Sequence, residues 1–383
     1  MSVPTSGLPD EAFVVALSRL PGLGPSRLRA LLSAWGPVDA WRAVHAGRVD
    51  AELLGQTGKA DPRAIVARWA AVARGLDPAE YWQAHRRAGI GVVVLGSAAF
   101  PAALAADDDP PAVLFCLGDP DHLAGARVAI VGTRDASSYG IDVAHRLGRD
   151  LAGCGVGVVS GLALGIDGAA HAGVLAVDGA PPVGVVGSGL DRVYPRDHGR
   201  LWRRVAERGV LLSEYPLGAA PAPWQFPARN RIIAALADVV VVVESHITGG
   251  AMGTAVEADR RGRPVLAVPG PVTASSSAGT NQLLFEGRGP ARDVTDVLLA
   301  LGLEGGHRRE AGESRTTPVH AAATVLAATP WQPVGLEHLV LATGLDMGVV
   351  ALALDDLELA GWVVRRGGWV ERLGRDAAGG TRR

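Results

Sequence analysis

"FPARNRIIAALADVVVVVES", residues 226–245, decides the fold. At about 100° per residue, Ile232, Ile233 and Leu236 share one helical face, and Arg229 falls in the middle of that face. Pro227 suits a first helical turn. The valine run at 239–243 is apolar and β-branched without alternation, as in a strand covered on both sides. A helix therefore feeds a buried strand and aims an arginine inward at a strand end. Burying a guanidinium costs several kcal/mol unless an anion meets it.

Further apolar runs lie at 92–95, 128–131, 156–159, 183–186, 210–212 and 265–268, most of them separated by helical stretches of about 10 to 15 residues. This alternation predicts an α/β fold, a Rossmann-like doubly wound and mostly parallel sheet over 89–303 with its ligand site at the carboxyl ends of the strands. Residues 1–88 read as a helical domain broken at Gly and Pro. Within it, "LPGLGPSRLRALL" (20–32) has the apolar-Gly-apolar-Gly turn of a helix-hairpin-helix-like unit. Such a turn offers N–H groups to a DNA phosphate, with Arg19, Arg27 and Arg29 nearby, or it serves packing alone. The polar segment 304–318 reads as a linker. In 319–375, three helical stretches (321–328, 336–342, 349–359) precede a hairpin turning at Gly367-Gly368, which together make a winged helix.

The net charge of -2 and pI near 6.6 exclude a protein that holds nucleic acid through overall basicity. Any such site is a local patch. Cys116 and Cys154 form neither a disulfide framework nor a metal spacing and read as buried thiols in a reducing cytosol. No charged-then-apolar leader and no apolar run of about 18 residues is present, so a soluble cytoplasmic protein without membrane contact is expected.

The turns after the strands share one chemistry. Gly132, Thr133 and Arg134 follow the first of them, with Ser137 or Ser138 placed to cap the next helix. Ser160 and Gly161, Gly187 and Ser188, the "SEYP" segment, and Thr248, Gly249 and Gly250 follow the others. Small residues, helix amino termini and arginines on one crevice describe an anion site, most simply for phosphate. The competing reading is that the glycines only allow close packing, with Arg134 and Arg229 paired to Glu214 or Glu244. Asp167 and His171, i and i+4, read as a helix-ordering pair ahead of a metal or acid–base pair. No Ser-His-Asp set, Walker lysine, metal cluster or G-x-G-x-x-G after 128–131 is found. No catalytic residue, cofactor or metal is therefore expected.

Read together, "VAIVGTRDASSYG", "SGLALGIDGAAH", "VVGSGLDRVYP", "LLSEYP", "FPARNRIIAAL" and "VLAVPG" followed by "AGTNQLL" resemble the DNA processing protein A (DprA/Smf) family in order and spacing. The resemblance implies an extended Rossmann-like fold with a SAM-like helical domain before it and a winged helix after it. It implies a homodimer that binds single-stranded DNA and hands it to a RecA-type recombinase during natural transformation. Arg134 matches the family's Gly-Ser-Arg arginine, and Arg229, Asn230 and Arg231 match its Arg-Asn-Arg. On that reading the anion facing Arg229 is a DNA phosphate, while Arg231 lies on the outer helix face. Tyr139, Tyr194, Tyr215, Trp224 and Phe226 stand beside these loops as base platforms or core residues.

Two features depart from the pattern. Where the family has Lys-Ser-Gly-Ser, this chain has Thr248-Gly249-Gly250-Ala251, one cation fewer. The change makes the loop similar to that of phosphoribohydrolases, so the alternative is a nucleoside-monophosphate hydrolase with Glu257 as its carboxylate, or a nucleotide sensor. Between Val319 and Val364 there is no Arg or Lys, and Asp346, Asp355, Asp356 and Glu358 crowd the third helix region. That charge repels a duplex, so the winged helix reads as a protein-contact module.

Overall fold

The computed structural model describes residues 7–54, 61–303, 318–366 and 368–373. Most of the expected linker (304–317), Gly367 of the expected turn and Lys59 lie outside the described residues.

The chain begins with α1 (Asp10–Ser18), α2 (Pro25–His45), α3 (Pro62–Ala73) and α4 (Pro78–Arg87). The sheet region follows as β1 (Gly91–Val94), α5 (Ala102–Ala105), β2 (Val113–Gly118), β3 (Arg127–Val131), α6 (Ser138–Gly153), β4 (Gly157–Ser160), α7 (Ile166–Val174) and β5 (Pro182–Val185). It continues through α8 (Gly199–Arg208), β6 (Val210–Ser213), α9 (Gln225–Leu236), β7 (Val239–Val242), α10 (Gly250–Arg260) and β8 (Val265–Ala267). It closes with α11 (Ala278–Phe285), β9 (Gly289–Pro290) and α12 (Val294–Ala300). The last unit comprises α13 (His320–Ala328), β10 (Val334–Gly335), α14 (Leu336–Thr343), α15 (Met347–Leu359), β11 (Val363–Arg366) and β12 (Trp369–Arg372).

Nine strands form one sheet in the order β1-β2-β6-β5-β4-β3-β7-β8-β9. From β6 to β9 the pairs are parallel, whereas β1 with β2 and β2 with β6 are antiparallel. The order reverses direction at β3, which starts between β4 and β7. In an open doubly wound sheet that switch point opens the crevice at the strand ends. The alternation did not anticipate strands β2 and β9: no helix of ordinary length separates β1, β2 and β3, and β9 is only two residues long.

Helices α1 to α3 pack Phe13, Leu17, Trp41 and Trp69 into a cluster that continues through Phe115, Val205 and Leu211, so the helical segment and one sheet face share a core. His85 ties the two together: its Nδ1 faces the Tyr81 carbonyl and its Nε2 accepts from the Leu217 N–H. Farther along the same sheet face, with α9 and α10 covering the opposite one, α6 and α7 approach closely because Gly148 and Gly173 carry no side chain. A Cβ on Gly148 would lie 2.2 Å from the Ala170 carbonyl oxygen, and one on Gly173 would lie 2.0 Å from that of His145. This contact fixes the amino end of α7 beneath the crevice.

The final unit is a winged helix of three helices and a three-stranded sheet with its own apolar centre around Val325, Leu339, Leu354 and Leu357. Arg365 on its wing donates to both Asp355 and Glu358 of α15, so that cation is neutralised within the unit. Among the described residues no single helix is long and apolar enough to cross a membrane. Cys154 is exposed at the end of α6, not buried as expected, because it follows the last helical turn.

Candidate nucleic-acid interface

The crevice is built from the turns after β3, β4, β5, β6 and β7. After β3 the chain is pinned: Thr133 N–H donates to the Glu244 carbonyl, and Glu244 accepts from the Ser137 N–H and hydroxyl. Ser137 in turn caps α6 by accepting from the Gly140 N–H. Glu244 is therefore committed to the loop and not to an arginine. Between these anchors Arg134 stands exposed, its guanidinium 5.1 Å from the centre of the Phe226 ring. No carboxylate among the described residues pairs with it. Tyr194 stacks on Phe226 at 5.3 Å and 29°, and is 40% exposed. Gly187 lies under this group, where a Cβ would sit 3.2 Å from the Phe226 ring.

Arg229 occupies the inward position that the helix periodicity requires and is only 5% exposed. Its Nη1 donates to the Val185 carbonyl, and its guanidinium lies where a Gly161 side chain would be. Burial lowers its pKa to about 10, with the Asp167 carboxylate working against the drop. Asp167 is itself buried and accepts from the Gly161 and Ala163 N–H groups. Burial raises its pKa, and Arg229 is the chief opposing influence. Inside the fold Arg229 therefore meets the Val185 carbonyl and the field of the buried Asp167 carboxylate, with no ion pair to it among the described residues.

Arg231 also differs from expectation. Its outward helix face is covered by the end of β6 and the loop before β2, where it pairs with Glu214 at 2.6 Å and Asp109 at 2.9 Å. Asn230 donates to the Gly250 carbonyl at the start of α10. The Arg-Asn-Arg segment is thus a clamp holding β5, β6 and α10 in register. Ser160 is fully buried and donates to the Ile130 carbonyl, and Ser188 donates to the Arg192 carbonyl, so neither hydroxyl faces the crevice. Thr248 and Gly250 are exposed, and the space around Gly250 is open.

Other side chains singled out from the sequence are engaged elsewhere. Tyr139 donates to the Pro269 carbonyl and packs against Trp331 of the winged helix, with ring centres 6.0 Å apart. In the amino-terminal hairpin, Arg27 donates to the Gly22 carbonyl, Arg29 pairs with Asp109, and Arg19 donates to the Leu217 carbonyl. These cations are therefore used in packing the helical segment. Nothing in the sequence marked Leu162, which holds a left-handed φ of 54° with its side chain fully buried. Strain of about 1–3 kcal/mol persists there because the core holds the side chain in place.

His171 lies below the same loop, fully buried, with neither ring nitrogen completing a hydrogen bond among the described residues. Burial lowers its pKa from 6.5 to about 4, the Ser160 carbonyl offsetting this in part. Between those pH values the unfolded chain binds a proton that the native protein does not, so stability is complete above 6.5 and is lost as pH falls toward 4. The loss attributable to His171 is about 3 kcal/mol. Asp167 acts in the opposite sense, since its raised pKa lets the native state keep a proton that the unfolded chain releases. The His171→Phe protein should therefore show a flatter dependence of urea midpoint on pH than the parent, and parallel curves would refute this.

A family model described as DNA recombination-mediator protein A matches residues 73–302. The chain belongs to the DNA processing protein A (DprA/Smf) family. A DprA winged helix domain model matches residues 309–368. A relative named putative DNA processing protein DprA from Mycobacterium tuberculosis is 38% identical over 380 residues, covering 95% of this chain and 94% of the relative. The X-ray structure of DprA from Streptococcus pneumoniae superposes with a TM-score of 0.64 at 30% identity, covering 76% of this chain and 98% of that one. A Helicobacter pylori DprA structure, described for its single-stranded DNA binding mode, gives a TM-score of 0.50 at 32% identity, over 55% of this chain and 95% of that one. The departure from the DprA pattern at Thr248–Ala251 falls on the exposed start of α10.

Proposed function

We propose that the crevice binds single-stranded DNA, and that the protein shields this DNA and passes it as a homodimer to a RecA-type recombinase in the cytoplasm, with no catalytic step. The observation that carries the reading is the exposed Arg134 lying on Phe226, with Tyr194 stacked beside it and no carboxylate paired with the cation. A cation beside stacked aromatics suits a strand that presents both phosphates and unpaired bases. Thr133, Gly132 and the Thr248-Gly249-Gly250 turn form the remaining rim, while Gly161, Gly187, Arg229, Asn230 and Arg231 set its shape. The Helicobacter DprA structure, with its described binding mode, supports the assignment.

The hydrolase alternative lacks a reacting group at this place. Glu257 pairs with Arg260 at 2.8 Å and with Arg261 at 2.5 Å, and Arg261 also holds Asp107. Fluorescence anisotropy with labelled oligo-dT, the matching duplex and a labelled mononucleotide tests the choice. Single strands should bind most tightly, with a salt dependence indicating several phosphate contacts. Equal affinity for the mononucleotide would overturn the strand-binding reading in favour of a nucleotide pocket.

A further inference from the structure

Resting on the single-strand reading, we infer that the cleft between the amino-terminal hairpin and the end of β6 is a second binding site, for one unpaired nucleobase bearing an exocyclic amine. The cleft holds about 280 Å³ and is walled by Leu23 and Leu28 on one side and by Glu214, Tyr215, Trp224 and Gln225 on the other. Its size is at the low end for ligand sites, suited to a single ring system. Trp224 is 58% exposed and meets Tyr215 edge-on at 5.9 Å and 80°, leaving an indole face to stack on.

The polar groups at its edge point to a ligand. Tyr215 is 7% exposed, and its hydroxyl has no hydrogen-bond partner among the described residues. That hydroxyl is closed off from solvent, so Tyr215 shapes the wall and the polar contact with a ligand falls to Glu214. Glu214 is 6% exposed and gives one carboxylate oxygen to Arg231, while no donor among the described residues takes the other. A carboxylate repels phosphate, so the backbone stays outside and the base enters. The carboxylate accepts well from the amine of cytosine or adenine. Thymine would instead present carbonyls on either side of its single N–H, so it fits less well.

Continuity with the crevice supplies the route. Gln225 lines the cleft, and its carbonyl lies 3.3 Å from the place of a Gly187 Cβ beneath Phe226. Trp224 and Phe226 flank it at the start of α9, so a strand on the Arg134–Phe226 platform can turn one base into the cleft.

Anisotropy titrations of oligo-dC and oligo-dT of equal length test this with the parent protein, Trp224→Ala, Glu214→Gln and Arg134→Ala. Oligo-dC should bind about tenfold or more tightly than oligo-dT, one charged hydrogen bond's worth. The preference should vanish in Trp224→Ala, whose exposed site tolerates truncation, and in Glu214→Gln. Arg134→Ala should weaken both oligomers and leave their ratio intact. A parent ratio near one, or a ratio unchanged by Trp224→Ala, overturns the base site while the crevice reading stands. Affinity unchanged by Arg134→Ala removes the crevice reading and leaves the base site to be judged on the ratio alone.

Discussion

Arg134→Ala should weaken binding of single-stranded DNA by roughly tenfold or more at low salt and reduce the slope of log affinity against log salt by about 0.7, the value for one phosphate on a single strand. Two effects add in this residue. Its guanidinium is exposed and unpaired with any carboxylate among the described residues, so it meets a phosphate without first breaking an internal ion pair. It also lies against Phe226, which holds the charge at one end of the aromatic platform with Tyr194. Arg134→Lys separates the two: the charge and its slope should persist, while the planar stacking on Phe226 and part of the affinity are lost. Arg231→Ala gives the contrasting case. Its loss removes the partner of Glu214 and Asp109, so stability should fall while the salt slope of DNA binding stays the same. Equal loss of slope in Arg134→Ala and Arg231→Ala would show that the crevice is not the path of the strand.

The sequence was most informative where the period of one element decided the outcome. The seven valine-rich strands and the inward aim of Arg229 follow from local spacing, and both agree with the structure. Partners distant in sequence were not legible. Asp167, whose field acts on Arg229, lies 62 positions earlier on another helix, and the turn at Gly161 after β4 brings the two near one another. Arg231 was misread because a helix wheel assigns an outer face without knowing that the loop carrying Asp109 folds over it. Phe226 and Tyr194 were visible as aromatics near the loops, but a stacking pair needs three-dimensional placement. In the Arg-Asn-Arg motif the inward orientation of Arg229 was therefore legible, and the internal carboxylate partners of Arg231 were not.

Asp167→Ala should cost about 1–3 kcal/mol of unfolding free energy, because two buried N–H groups lose their acceptor and the buried Arg229 loses a neighbouring carboxylate. With a pKa of about 10, Arg229 keeps its charge at neutral pH and cannot escape the penalty by losing a proton. Its Nε has no hydrogen-bond partner among the described residues, so the carbonyl of Val185 and the field of Asp167 are what offset its burial. The same substitution frees the Gly161 and Ala163 N–H groups that shape the turn after β4. Asp167→Asn retains an oxygen for those groups but not the charge, and should lie between the two in a urea titration. The double variant Asp167→Leu/Arg229→Met removes both charges and should be less destabilised than Asp167→Ala alone, since no ion is left uncompensated. A single variant losing less than about 1 kcal/mol, or a double variant losing the sum of its parts, would mean that Arg229 is balanced by something other than Asp167. On the inner face of α9, Arg229 joins two loops of the crevice rim through its hydrogen bond to the Val185 carbonyl and the field of Asp167, leaving Arg134 to face the ligand.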